Sequence, residues 1–191
     1  MSASIDVPQL RENRVITLAR WLLGKHLVRR MPNGHVDQRL ITEVEAYNGE
    51  KDLACHARAG RTKRTAPLYE PGGIWYVYLC YGVHEMLNLV VGPADWPAAL
   101  LIRAVEGARG PGRVTKSLHI DRTLNGKSAL TTATGLWIED RGVRVPRRLV
   151  TATPRIGVDY AGPIWSKKHW RFHFDPAQLP ADSTSIAGGP G

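Results

Sequence analysis

The sequence predicts an α+β fold, on three observations. Apolar runs of strand and helix type alternate without a regular βαβ rhythm, which disfavours a doubly wound parallel sheet. Two pairs of strand-like runs are joined by short Gly-containing reversals, the connection that antiparallel strands use. No internal repeat and no linker divides the 191 residues, a length that suits one domain with a real core. A single domain is therefore expected over 1–179. A small, polar, Gly-rich tail over 180–191 is expected to be disordered.

Residues 10–23 carry Val15, Leu18 and Leu22 on one helical face, with Ile16, Ala19 and Leu23 beside them. Gly24 then supplies the left-handed backbone that stops a helix. Residues 25–31 and 39–47 read as strands paired across the Pro32-Asn33-Gly34 turn. Within the second, Glu43, Glu45 and Tyr47 point to one side, and Thr42, Val44 and Ala46 to the other. A strand face with two carboxylates either meets water or lines a site. Residues 51–64 read as a loop with a short helical turn, ended by Pro71-Gly72-Gly73. Residues 75–80 and 84–91 form a hairpin whose reversal near Tyr81-Gly82 leaves Tyr81 at the tip. Residues 98–105 are a further strand, apolar except for Arg103. Helices are expected over 110–120 and 127–134. Short strands are expected from 144 onward, through 155–158 and 169–174.

Composition narrows the function classes. No apolar run is long enough to cross a bilayer, and no membrane role is expected. The N-terminus has neither a basic n-region nor an apolar h-region, so no secretion signal is read. Two cysteines, Cys55 and Cys80, make no disulfide framework and suit a reducing compartment. The net charge of +9 suggests a polyanionic partner, the alternative being a basic surface that only aids solubility. The stretch from Leu53 to Tyr69 has no acid and holds Arg58, Arg61, Lys63 and Arg64. Basic groups recur further on at Arg109, Arg113 and Lys116, over 141–148, and at Lys167, Lys168 and Arg171.

Glu45 leads the groups that could do chemistry, because a general base must be ionised and must reach a water. The plainer reading is a surface carboxylate paired with an arginine. Tyr47, His56 and Tyr78 could replace the stacking that a nucleobase loses on leaving a duplex, about 1–3 kcal/mol per base. Tyr76 and Tyr78 could equally pack in the core. Tyr81 could fill the gap left in a duplex by a displaced nucleotide, or fold back onto its sheet. Arg103 inside an apolar strand must pair with an acceptor or serve a cleft. Asn88, interrupting another apolar run, could read a base edge or satisfy backbone groups.

Several motifs fail. His84-Glu85-Met86-Leu87-Asn88 lacks the second histidine of a zinc-protease helix. Gly107 to Val114 lacks the Lys and Ser/Thr of a phosphate loop, and Gly126-Lys127-Ser128 lacks its first Gly. Cys55-His56 stands alone, so no metal is inferred. No nucleophile-elbow motif appears.

Together these residues resemble the alkyladenine (3-methyladenine, alkylpurine) DNA glycosylase family. The resemblance runs from Leu18-Ala-Arg-Trp-Leu-Leu-Gly24 to Arg171-Phe172. It is carried by Glu43-Val-Glu-Ala-Tyr47, Ala54-Cys-His-Ala-Arg58, Trp75-Tyr-Val-Tyr-Leu-Cys-Tyr-Gly82 with Asn88, and Leu100-Leu-Ile-Arg-Ala104. Gly110-Pro-Gly-Arg113 and Arg155-Ile-Gly157 fit as well. The resemblance implies a single α+β domain with a curved, mostly antiparallel sheet, flanking helices and a protruding hairpin. It implies that Glu45 activates the water that attacks C1′, with Arg103 near that water and the substrate backbone. Tyr47, His56 and Tyr78 would enclose the flipped base, which His56 would also hydrogen-bond. Asn88 would crowd the amino group of guanine, and Tyr81 would enter the duplex. Arg58, Arg61, Lys63 and Arg64 would contact phosphate, by charge only. Glu43 receives no chemical step. His84 and Glu85 stand where many relatives carry other residues, and an acid so near the duplex must turn away from phosphate.

The expected activity is DNA base excision repair: a damaged purine, alkylated or deaminated, is flipped from double-stranded DNA and its N-glycosidic bond hydrolysed, leaving an abasic site. No lysine in the motifs stands as a Schiff-base nucleophile, so a monofunctional enzyme is expected, without metal or organic cofactor. A monomer in the cytoplasm, at the nucleoid (or the nucleus of a eukaryote), is expected. The alternative is a nucleic-acid-binding module without chemistry.

Overall fold

The computed structural model describes residues 7–180; the expected tail, beyond Pro180, lies outside the described residues. The chain runs α1 (Val7–Leu10), α2 (Val15–Leu22), β1 (His26–Arg30), β2 (Val36–Asn48), β3 (Trp75–Cys80), β4 (His84–Val90), β5 (Ala98–Val105), β6 (Ala108–Arg109), α3 (Pro111–Ser117), β7 (Leu136–Glu139), β8 (Thr151–Thr153), α4 (Gly162–Trp165) and β9 (Arg171–His173). The strands form one curled antiparallel sheet in the order β3-β4-β5-β2-β1-β7, with β6 on β5 and β8-β9 branching from β2. This is the α+β architecture the sequence predicts.

β2 organises the molecule because it changes partners along its length. Val36 to Leu40 pair with β1. Beyond a bulge at Glu43, β5 holds one edge through Asn48 while β9 takes the other over Glu43–Glu45. A bulge adds twist and re-aims side chains, and here it lies beside the two carboxylates. One sheet face carries Val44, Ala46, Leu87, Leu89, Leu100, Ile102 and Trp75, all buried against Leu18 and Leu22 of α2 and Val114 of α3. Burying such side chains is worth about 1.5–3 kcal/mol each, so this layer fixes the register of the opposite face.

Several elements differ from expectation. The helix expected over 10–23 is two pieces, because the Leu10 carbonyl accepts the Gly92 N–H at 2.7 Å instead of continuing the helix. The helix expected over 127–134 does not form as such. Trp75 donates its N–H to the Lys127 carbonyl, Ile74 bridges Ser128, and only Thr132–Thr134 makes a helical turn. The Thr134 hydroxyl lies within reach of the Ser128, Thr131 and Leu136 carbonyls, a local competition that disfavours helix. Residues 155–158 are a bend rather than a strand, with Gly157 at φ +73°. Residues 144–150 hold a helical turn at Arg147–Leu149 in place of a strand. β6 and β7 are too short to show a period in the sequence.

Candidate active site

The second sheet face gathers the chemistry-bearing residues. Cross-strand pairing sets Glu45 of β2 opposite Leu101 of β5, Leu101 opposite Asn88 of β4, and Asn88 opposite Tyr76 of β3. One row of side chains thus crosses four strands. The adjacent rows bring Tyr47 opposite Ala99, and Tyr78 opposite Met86. A cavity of about 720 Å³ opens over this face, within the range of small-ligand sites. Tyr47, His56, Tyr78, Asn88 and Arg103 all line it, and Tyr81 stands at its edge.

Glu45 is fully buried and does not itself line the cavity, whereas Tyr47, Arg103 and Ile156, its three partners, all do. Its Oε2 accepts from the Tyr47 hydroxyl at 2.8 Å and from Arg103 Nη1 at 3.3 Å. Among the described residues its Oε1 accepts only from the Ile156 N–H, at 2.8 Å. An ionised carboxylate accepts about four hydrogen bonds, so the remaining acceptor capacity is on Oε1, beside Ile156. Burial raises the Glu45 pKa, while Arg103, the Ile156 N–H and the Tyr47 hydroxyl pull it back. Arg103, expected either to pair with an acceptor or to serve a cleft, does both: it lines the cavity and bonds through Nε to Glu43 Oε1 at 3.0 Å. Glu43 also receives Arg171 Nη1 at 2.9 Å, so it acts as a clamp that aims Arg103.

The aromatic wall is ordered by hydrogen bonds. The His56 ring meets Tyr78 edge-on at 4.4 Å between centroids, and its Nδ1 lies 3.0 Å from the Tyr76 hydroxyl. Desolvation, then the charges of Arg64 and Arg58, push the His56 pKa down to about 4, so the ring is neutral at physiological pH. Tyr76 is buried and Tyr78 partly so; both do the packing and the lining that the sequence left as alternatives. Asn88 donates Nδ2 to the Tyr76 carbonyl at 3.1 Å, which fixes the orientation of its amide. Burial pushes the Cys55 thiol up to about 12, making it an inert wall.

Tyr81 and Gly82 have φ of +50° and +71°, and the Val83 N–H closes the turn on the Cys80 carbonyl at 3.1 Å. Three residues, Tyr81 to Val83, thus separate the paired Cys80 and His84, a short reversal in which positive φ is expected. Tyr81 is 93% exposed, so it does not fold back onto the sheet. Glu85 turns away from the tip to pair with Arg122 at 3.0 Å, and the His84 ring packs against Gly112.

The basic loop divides. Arg64 lies over the Tyr78 ring at 5.5 Å and lines the cavity. Arg58 stacks on Tyr160 at 4.7 Å and donates to the Leu53 carbonyl. Arg61 is held by Glu70 and Asp95, and Lys63 is exposed, as are the three arginines of the set. Sequence reasoning missed the Ile156 N–H, Asp52 and Arg155. Asp52 and Arg155 form a fully buried ion pair with Nη1 to Oδ2 at 2.6 Å. A backbone donor leaves no compositional trace, although Arg155-Ile-Gly157 had stood out as a motif. Among the described residues, no group of three or more His, Cys, Asp or Glu could hold a metal ion, and no helix is long and apolar enough to cross a membrane.

The family model described as methylpurine-DNA glycosylase matches residues 9–178. The chain belongs to the methylpurine-DNA glycosylase family. A relative from Psychrobacter cryohalolentis is 41% identical, over 90% of this chain and 92% of its own length. One from Methanocella arvoryzae is 42% identical, over 83% and 86%. One from Anaeromyxobacter dehalogenans is 44% identical, over 82% and 76%. Each bears the name "Putative 3-methyladenine DNA glycosylase". Membership in this DNA-repair glycosylase family spans the whole row from Glu45 to Tyr76.

Proposed function

We propose that this protein flips a damaged purine, alkylated or deaminated, out of double-stranded DNA and hydrolyses its N-glycosidic bond. The reading rests on the row across β2, β5, β4 and β3, which sets a buried carboxylate beside an aromatic cavity whose wall also carries a neutral His56 and Tyr78. Glu45 holds the attacking water through Oε1 and faces the positive charge that grows on the sugar as the bond breaks. Arg103 keeps Glu45 ionised and oriented. The base lies between Tyr47 and the Tyr78–His56 pair, and Asn88 bounds the pocket floor. Tyr81 fills the gap in the duplex. The side chains of Arg58, Lys63 and Arg64 approach phosphate. Among the described residues no lysine lines the cavity, which supports a monofunctional hydrolase.

The full burial of Glu45 sets a condition on this mechanism. Water must reach Oε1 past Ile156, whose side chain is 52% exposed at the cavity wall. Substituting Glu45→Gln keeps the shape and removes the base. Release of 3-methyladenine-type bases from a single-lesion duplex should fall by at least 10²-fold, the lower bound of general-base catalysis, while lesion binding is kept. Equal release by the variant would remove Glu45 as the base. Binding without release by the wild type, across a panel of alkylated and deaminated purines, would favour a non-catalytic binder.

A further inference from the structure

We propose that Asp52 and Arg155 are positioning residues for base release, one ion pair that sets three walls of the site at once; this inference rests on the function proposed above. The Arg155 guanidinium donates Nη1 to Asp52 Oδ2 at 2.6 Å and Nη2 to Oδ1 at 2.9 Å. It also donates to the Ala46 carbonyl at 2.9 Å and the Trp165 carbonyl at 3.2 Å. Its plane lies against Tyr47 at 4.8 Å and Trp170 at 5.1 Å. Both side chains of the pair are fully buried.

Each contact leads to a functional group. The first wall is Tyr47, whose ring rests on the guanidinium and whose hydroxyl bonds Glu45 Oε2. The second is the turn that carries His56. Asp52 accepts the Asn48 and Ala54 N–H groups through its carboxylate, and the Cys55 N–H through its carbonyl, fixing the chain just ahead of His56. The third is Ile156, the next residue along, whose N–H bonds Glu45 Oε1. Residues 154–157 make no backbone–backbone hydrogen bond among the described residues, and Gly157 follows with a left-handed φ. Arg171 donates Nε to the Pro154 carbonyl at 3.3 Å from the exposed side, and Arg155, with four hydrogen bonds from the buried side, is the tether next to the Ile156 N–H.

A buried ion pair is a poor way to gain stability, since well-packed apolar residues often do as well. Its distinctive property is directional: a planar guanidinium commits its donors to fixed acceptors. That suits a device that holds one carboxylate oxygen at the Ile156 N–H and the other at Tyr47 and Arg103. A misplacement of about 1 Å at such a site can lower a rate by about 10²-fold.

The test is single-turnover base release from a lesion duplex by R155K, D52N and the double variant D52N/R155M, which removes both charges so that neither is left buried alone. A positioning role predicts that the rate at saturating enzyme falls by about tenfold or more, with half-saturation changed by less than about threefold, and R155K retaining the most. A rate per active site equal to wild type in D52N/R155M overturns the proposal, as does a loss confined to half-saturation. Hydrogen exchange on the wild type reads the tether without any variant. The Ile156 amide should be protected although its side chain is half exposed, and rapid exchange there overturns the proposal. If wild-type protein releases no base, the proposed function fails, while a protected Ile156 amide still upholds the tether.

Discussion

At the residue scale, Glu45 shows how one carboxylate can be both sealed and poised. Desolvation alone would hold it protonated, and a protonated acid is no base. Three donors face it, and each favours the ionised form. Because burial dominates and raises the pKa, release should decline on acidification at a pH above the usual carboxylate range. His56 does not interfere in that window, since it gains its proton only near pH 4. Arg103→Gln removes the charge that most opposes the rise, so the acid limb should move to still higher pH. A pH–rate profile of both proteins checks the direction; a limb unmoved by the substitution would separate Arg103 from Glu45 ionisation. The sequence showed Arg103 as a charge needing an acceptor, and the structure supplies two, Glu43 and Glu45. Glu43, which had no chemical step, is explained by that pairing.

At the scale of elements, the hairpin tip combines two unfavourable features in one residue. A non-glycine residue in the left-handed region costs about 1–2 kcal/mol, and Tyr81 adds a large exposed ring. Strain of this kind gathers at functional positions. Tyr81→Gly should therefore leave the melting temperature unchanged or raise it, while base release falls and affinity for an already abasic duplex changes little. Thermal melts and binding to both duplexes check this; equal loss on both would end the wedge role. Elements with a strong period were legible in the sequence: α2, the hairpin, β5 and the two-faced β2. What escaped was set by distant contacts. The break after Leu10 depends on Gly92, and the course of 127–131 depends on the chain entering β3, at Gly73 to Trp75. The bend at 155–157 follows a guanidinium whose acceptors lie more than a hundred residues earlier, at Ala46 and Asp52.

For the whole molecule, the charge of +9 is only partly available to a polyanion. Arg61, Arg103, Arg155 and Arg171 are committed to acids of the same chain, while Lys63 and the cavity-lining Arg58 and Arg64 are exposed and pair with no acid among the described residues. Phosphate contacts by about three cations give a log–log salt slope near −2.7, or a loss of tenfold or more between about 50 and 200 mM salt. Titration of a lesion duplex across that range checks it, and a flat response would contradict a phosphate-binding rim.

The line of side chains from Glu45 through Leu101 and Asn88 to Tyr76 also bears on redesign. Under the function proposed above, reactivity belongs to one terminus and lesion choice to the remainder, on backbone pinned by a separate hydrophobic layer behind it. Swapping side chains at 88 or 101 therefore offers a route to retarget the enzyme toward other modified bases without re-engineering its scaffold. Any insertion or deletion within β5 would instead scramble both properties together.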